Sequence, residues 1–317
     1  MKISELADQI IGQAAQRQSS DIFILPSTGF KIYFRTKAGL VLYRKMQHEE
    51  GQALINFLKY AAQMDLSEHR RPQIGALSFE RQDLHLFLRF SSLGDYRDRE
   101  SLVVRLIYSQ GANRYFRPAY FATLKQLAAR RGLIITSGPT GSGKTSLMYD
   151  LAAKISAQKM VMTIEDPVEI REPAFLQTQV NLEAGISYAS LLKAALRHRP
   201  DILIIGEIRD PETAQVAVNA ALSGHLVLAT VHAKSTLQTI ARLKGLGVSQ
   251  SQLDNSLTAV SYQRLLPTQD GVACLFDLAY GADLQKKGSF IAWQEQLAQL
   301  QKEGAISAET ATKYCWG

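Results

Sequence analysis

The chain has 317 residues, 46% hydrophobic and 21% charged, with a formal net charge of +7. These values are ordinary for a globular protein of about two domains. No run reaches the ~18–20 apolar residues needed to cross a bilayer, and two cysteines, Cys274 and Cys315, are too few for a four-cysteine zinc site.

Residues 1–21 read as an amphipathic helix. Glu5 and Asp8 stand where a signal peptide would be basic, so the chain is expected to stay in the cytosol. Strand-like runs follow at Asp21–Leu25, Gly29–Phe34 and Leu40–Tyr43, then a helix at about Gly51–Gln63. Further strands are expected at Ala76–Phe79, Leu84–Phe90 and Ser101–Tyr108. The order points to an α+β domain with an antiparallel sheet over residues 1–109. The polar, glycine-containing stretch after it marks a linker at 110–116.

From Arg117 strands alternate with helices. Strands are expected at Leu133–Thr136, Met160–Glu165, Leu176–Val180, Ile202–Gly206 and Leu226–Val231. Helices are expected at Thr145–Lys159, at Ser187–Arg197 and from Asp210 to near Gly224. Asp210 is a ready N-cap, Pro211 suits the first helical turn and Gly224 suits a left-handed stop. This pattern predicts an α/β domain around a mostly parallel sheet over 117–266. A mostly helical tail, with one apolar run at Val272–Tyr280 and a helix at Phe290–Glu303, is expected over 267–317.

Gly138-Pro139-Thr140-Gly141-Ser142-Gly143-Lys144-Thr145 is a complete G-x-x-x-x-G-K-T loop between a strand and a helix that continues with Ser146. Its glycines let backbone N–H groups turn toward the phosphates of a nucleoside triphosphate. Lys144 supplies charge to the β- and γ-phosphates, Thr145 a hydroxyl to Mg²⁺, and the helix its positive dipole end. Glu207 ends an apolar strand and can hold the metal, partly through water. Glu165 and Glu169 follow another strand; one can polarise a water while the other braces the turn at Pro167. His225 and His232 flank a strand at a spacing that turns them to opposite faces, with His232 at the carboxyl end. Basic residues number 16 against 12 acidic over 1–115, and 20 against 17 over 116–317. That spread, with only pairs such as Arg130-Arg131, gives no reason to expect direct DNA binding. It suits the cytoplasmic face of an anionic membrane.

Together these segments resemble the secretion ATPases of type II secretion, type IV pili and competence pili. Ser20–Pro26 resembles the family's first-domain signature. Gly138–Thr145 resembles its Walker A, Thr163–Glu169 its aspartate box, Arg199–Asp210 its Gly-Glu form of Walker B, and Gly224–Ala233 its histidine box. The resemblance implies a RecA-like ATPase domain, a homo-hexameric ring, and ATP with Mg²⁺ held between the two domains. It implies that Glu169 and Glu207 share the general-base and metal-side roles, in either order, and that His232 lies at the γ-phosphate. The stretch around Arg89 and Arg105, which includes Arg99, resembles the segment bearing the family's γ-phosphate arginines. No paired-CxxC zinc module follows the histidine box. Within the family the chain most resembles the competence-pilus assembly ATPases of Gram-positive bacteria. That implies work at the inner face of the membrane with a polytopic platform protein. A pilus-retraction or type II secretion ATPase is the alternative in the same class. An ATP-regulated module that binds nucleic acid or membrane is the alternative in another.

Overall fold

The computed structural model describes residues 2–36, 38–81, 84–108, 114–181, 184–268 and 271–317. The chain divides into two compact units, Met1–Gly111 and Ala112–Gly317.

The first unit runs α1 (Ile3–Gln16), β1 (Asp21–Pro26), β2 (Phe30–Thr36), β3 (Gly39–Met46), α2 (His48–Ala61), β4 (Gln73–Arg81), β5 (Leu84–Gly94) and β6 (Glu100–Tyr108). Its strands are ordered β3-β2-β1-β6-β5-β4, with every neighbouring pair antiparallel. Alternation decides which face is buried. Ile22, Ile24, Ile32, Phe34, Leu88, Phe90, Leu102 and Val104 point into one core with Ile10 and Ile11 of α1 and Leu54 and Ile55 of α2. Helix α2 sits so close to the sheet that a Cβ on Gly51 would stand 2.1 Å from the Phe30 ring. One ion pair is sealed in this unit: Lys59 Nζ lies 2.6 Å from Glu100 Oε1 and donates to the Glu68 carbonyl at 2.7 Å. His69 Nδ1 meets the other Glu100 oxygen at 3.0 Å.

The second unit runs α3 (Pro118–Leu127), β7 (Gly132–Ser137), α4 (Lys144–Ile155), β8 (Val161–Glu165), β9 (Leu176–Gln179), α5 (Tyr188–His198), β10 (Ile202–Ile205), α6 (Pro211–Leu222), β11 (Leu226–Val231), α7 (Thr236–Gly245), α8 (Gln250–Ser256), β12 (Leu257–Thr268), β13 (Gly271–Tyr280), a 3₁₀ turn at Gly281–Gln285, α9 (Trp293–Lys302) and α10 (Ala308–Lys313). The sheet order is β13-β12-β7-β11-β10-β8-β9, parallel except for the β12–β13 pair. The central strands β7, β10 and β11 are buried along their whole length, as a sheet covered on both faces requires. Asp210 caps α6 by accepting from the Thr213 N–H, with Pro211 next.

Residues 110–113 of the expected linker lie outside the described residues. Residues 114–116 belong to the second unit's sheet: Cys274 N–H donates to the Arg114 carbonyl and Phe116 N–H to the Cys274 carbonyl. The expected boundary at 266/267 falls inside β12, and the apolar run at Val272–Tyr280 is the edge strand β13. The helical remainder is a packing element. Trp293, Leu297, Leu300 and Ile306 close over Tyr262, Leu266 and Leu275. Buried Asp277 of β13 accepts the Ile291 and Ala292 N–H groups at 2.8 and 2.7 Å. Helices α7 and α8 were not anticipated from the sequence. Their signals are the N-caps Ser235 and Ser249, the latter in a capping box with Gln252.

A buried carboxylate stripped of its lysine, with only His69 left beside it, is costly, whereas removing both charges is not. Lys59→Met is therefore expected to destabilise that unit by about 3–5 kcal/mol, and Lys59→Met with Glu100→Leu to recover most of the loss. Urea unfolding followed by fluorescence checks this. A single-variant cost near zero would show that the pair does not anchor the unit.

Candidate active site

The strands β7, β8, β10 and β11 end on one edge of the sheet, and their loops carry the expected residues. After β7 the chain turns through Gly138, Gly141 and Gly143, all at positive φ. Gly143 is the left-handed N-cap of α4, so the helix's first N–H groups open toward the loop. A Cβ on Gly138 would stand 2.5 Å from the Gln263 carbonyl and 2.7 Å from the Ser142 hydroxyl. Only glycine therefore lets the loop start this close to β12. Gln263, on β12, holds the loop from outside by donating through Nε2 to the Ser142 carbonyl at 2.7 Å.

Lys144 Nζ donates to the Gly138 and Pro139 carbonyls, each at 2.9 Å. Burial pulls its pKa below the usual lysine range, and the carboxylates of Glu207 and Glu169 oppose that shift. Thr145 Oγ1 donates to Glu169 Oε2 at 3.1 Å. Glu207 is bracketed, with His232 Nε2 at 3.4 Å from Oε1 and Arg209 Nε at 2.9 Å from Oε2. Arg209 also reaches Asp166 at 3.5 Å. Its pKa is raised, first by the hydrogen bond to Glu207. Lys144, Thr145, Glu169, Glu207 and His232 therefore form one linked cluster at the mouth of the loop. A hydroxyl and two carboxylates are hard oxygen donors, which fit Mg²⁺ holding several waters.

The two carboxylates of the aspartate-box segment separate. Glu169 faces the P-loop threonine. Glu165 is 2% exposed and turns inward to Tyr149 and Thr163. His225 bonds through Nδ1 with the Ala220 carbonyl, away from the cluster.

The first unit holds the other expected residues. Arg35, Asp21, Arg105 and Arg89 stand opposite one another across β2, β1, β6 and β5, on the sheet face away from the helices. Buried Asp21 accepts from Arg105 Nε at 2.9 Å and lies 3.8 Å from Arg35 Nε. Arg99 is held in a turn by Asp95, at 2.7 Å, and by the Ser27 carbonyl.

Sequence reasoning missed Gln263 and Arg209. Arg209 sits within the Arg199–Asp210 stretch that carried the Walker B resemblance, two residues past Glu207, so its signal was present. Gln263 has no local signal; it meets the loop only through the pairing of β12 with β7.

Comparison with known proteins finds relatives that match nearly the whole chain. The profile of the type II/IV secretion system proteins matches residues 1–310. Competence protein ComGA of Streptococcus pneumoniae is 38% identical over 310 residues, covering 96% of each chain. Competence protein ComGA of Bacillus subtilis is 35% identical, covering 98% of this chain and 97% of its own. Among solved structures, the pilus retraction motor PilT with bound ADP superposes with a TM-score of 0.75 at 24% identity, over 96% of this chain and 95% of its own. The Legionella pneumophila ATPase DotB does so at 0.73 and 19%, over 98% and 95%. At those identities the structural likeness establishes the fold.

Gln263→Leu keeps the side chain's bulk and removes the bond to the loop. Losing a buried hydrogen bond costs about 1–3 kcal/mol, so nucleotide affinity is expected to weaken by roughly tenfold. Titration with a fluorescent ATP analogue measures this, and unchanged affinity would show that the loop holds its shape without β12.

Proposed function

The chain belongs to the type II/IV secretion system protein family, and on that premise we propose that it is an ATP-hydrolysing motor for assembly of a competence pilus used in DNA uptake. The observation that carries the ATPase reading is the cluster in which Thr145, Glu169, Lys144, Glu207 and His232 meet at the P-loop. The full-length similarity to two competence proteins supports the biological role.

The loop from Gly138 to Ser146 binds the phosphates of ATP. Lys144 exchanges its two carbonyl contacts for the β- and γ-phosphate oxygens. Thr145 and Glu207 hold Mg²⁺, which when bound neutralises charge developing on the phosphates. Glu169, whose carboxylate stands at the mouth of the loop beside Thr145, orients a water and takes its proton. His232 fixes the orientation of Glu207 and lies where the γ-phosphate ends.

The motor works as a homo-hexamer against a polytopic membrane platform protein at the cytoplasmic face of the membrane. No helix among the described residues is long and apolar enough to cross the membrane. The filament, rather than this chain, handles DNA.

Purified Lys144→Ala is expected to lose measurable ATP hydrolysis, because the phosphates lose their fixed cation. Glu169→Gln is expected to slow it by roughly 10²–10⁴-fold, as removal of a general base does. Phosphate-release assays on both proteins decide this. Turnover near wild type in Lys144→Ala would remove the ATPase assignment.

A further inference from the structure

The hydrolysis reading gives no role to Glu165, a buried carboxylate four residues before Glu169. Glu165 ends β8 inside the protein, where an ionisable group is costly unless its hydrogen bonds are satisfied. Its Oε1 accepts from the Tyr149 hydroxyl at 2.5 Å and from the Thr163 hydroxyl at 2.7 Å. The backbone N–H of Glu169 bonds to the same carboxylate.

Tyr149 belongs to α4, the helix that opens at the P-loop. Its hydroxyl also accepts from Gln177 Nε2 at 2.6 Å. An amide nitrogen only donates, so the order runs from Gln177 to Tyr149 to Glu165. Gln177 meanwhile donates to the Ile170 carbonyl at 2.7 Å and accepts from the Glu172 N–H at 2.9 Å. Gln179, on the same strand, accepts from the Val168 N–H at 3.1 Å. The segment from Val168 to Glu172 is thus held at four backbone positions by Glu165, Gln177 and Gln179.

We propose that Tyr149, Glu165 and Gln177 are positioning residues that lock Glu169 against the P-loop helix, so that its carboxylate meets Thr145 in one geometry. The proposal rests on the reading of Glu169 given above. The chemistry accounts for a carboxylate at Glu165. Two acceptor oxygens are needed for two hydroxyls and one N–H, and a glutamine offers one oxygen with an amide that opposes the Glu169 N–H.

The test uses the full-length protein with Tyr149→Phe and Glu165→Gln, each alone and combined with Glu169→Gln. Single-turnover cleavage is expected to slow on the order of 10- to 100-fold in each single variant, as a displaced catalytic group does. Affinity for a fluorescent ATP analogue stays at the wild-type value. Amide hydrogen exchange of residues 166–172 speeds up. In the Glu169→Gln background the same substitutions cause no further slowing, because they act through a group already removed. Equal slowing in both backgrounds, or a Tyr149→Phe protein that cleaves normally while Glu169→Gln is slow, overturns the positioning role alone. A Glu169→Gln protein that cleaves like wild type instead overturns the reading of Glu169, and the role built on it.

Discussion

The in-step ending of β7, β11, β10 and β8 is the constraint on which the site depends. Thr136 of β7 stands beside Thr230 of β11, and Ile205 of β10 beside Ala229 of β11 and Ile164 of β8. All four strands are buried throughout, so a slip of one residue would drive every side chain to the wrong layer. Packing of the core therefore sets where each loop begins. The P-loop, Glu169, Glu207 and His232 inherit their proximity from that register.

Charge is arranged with equal economy. Lys144 is a partly buried cation, and with the N-terminal end of α4 it offers positive charge to a phosphate chain entering the loop, while Glu207 and Glu169 balance it when the loop is empty. Arg209 and His232 hold Glu207 from two sides. In the first unit a single buried aspartate stands in a row with three arginines, leaving that row net positive.

Much of this was legible in the residues because the causes are local. A phosphate loop needs glycine at fixed places, and Gly138, Gly141 and Gly143 all take positive φ. Glu207 and His232 announced themselves by following short apolar runs. The strand Leu226–Val231 was expected with the bounds it has. What stayed hidden depends on pairing across the chain. Gln263 reaches Ser142 from 121 residues away. Gln177 and Gln179 lie on a short, half-exposed strand that looks like surface. Strand β12 mixes Tyr262, Gln263, Arg264 and Pro267 with apolar residues, so the apolar run after it read as part of a tail rather than as its hairpin partner. Helix α8 has seven residues, too few for a period to show.

The most direct measurement of the central claim is made in the native host. The chromosomal copy is replaced by Lys144→Ala, and surface filaments and DNA uptake are scored in the same cells. An assembly motor driven by ATP predicts that both are lost. Filaments that persist or accumulate would contradict assembly and point to retraction, and no change in either would separate this motor from the pilus altogether.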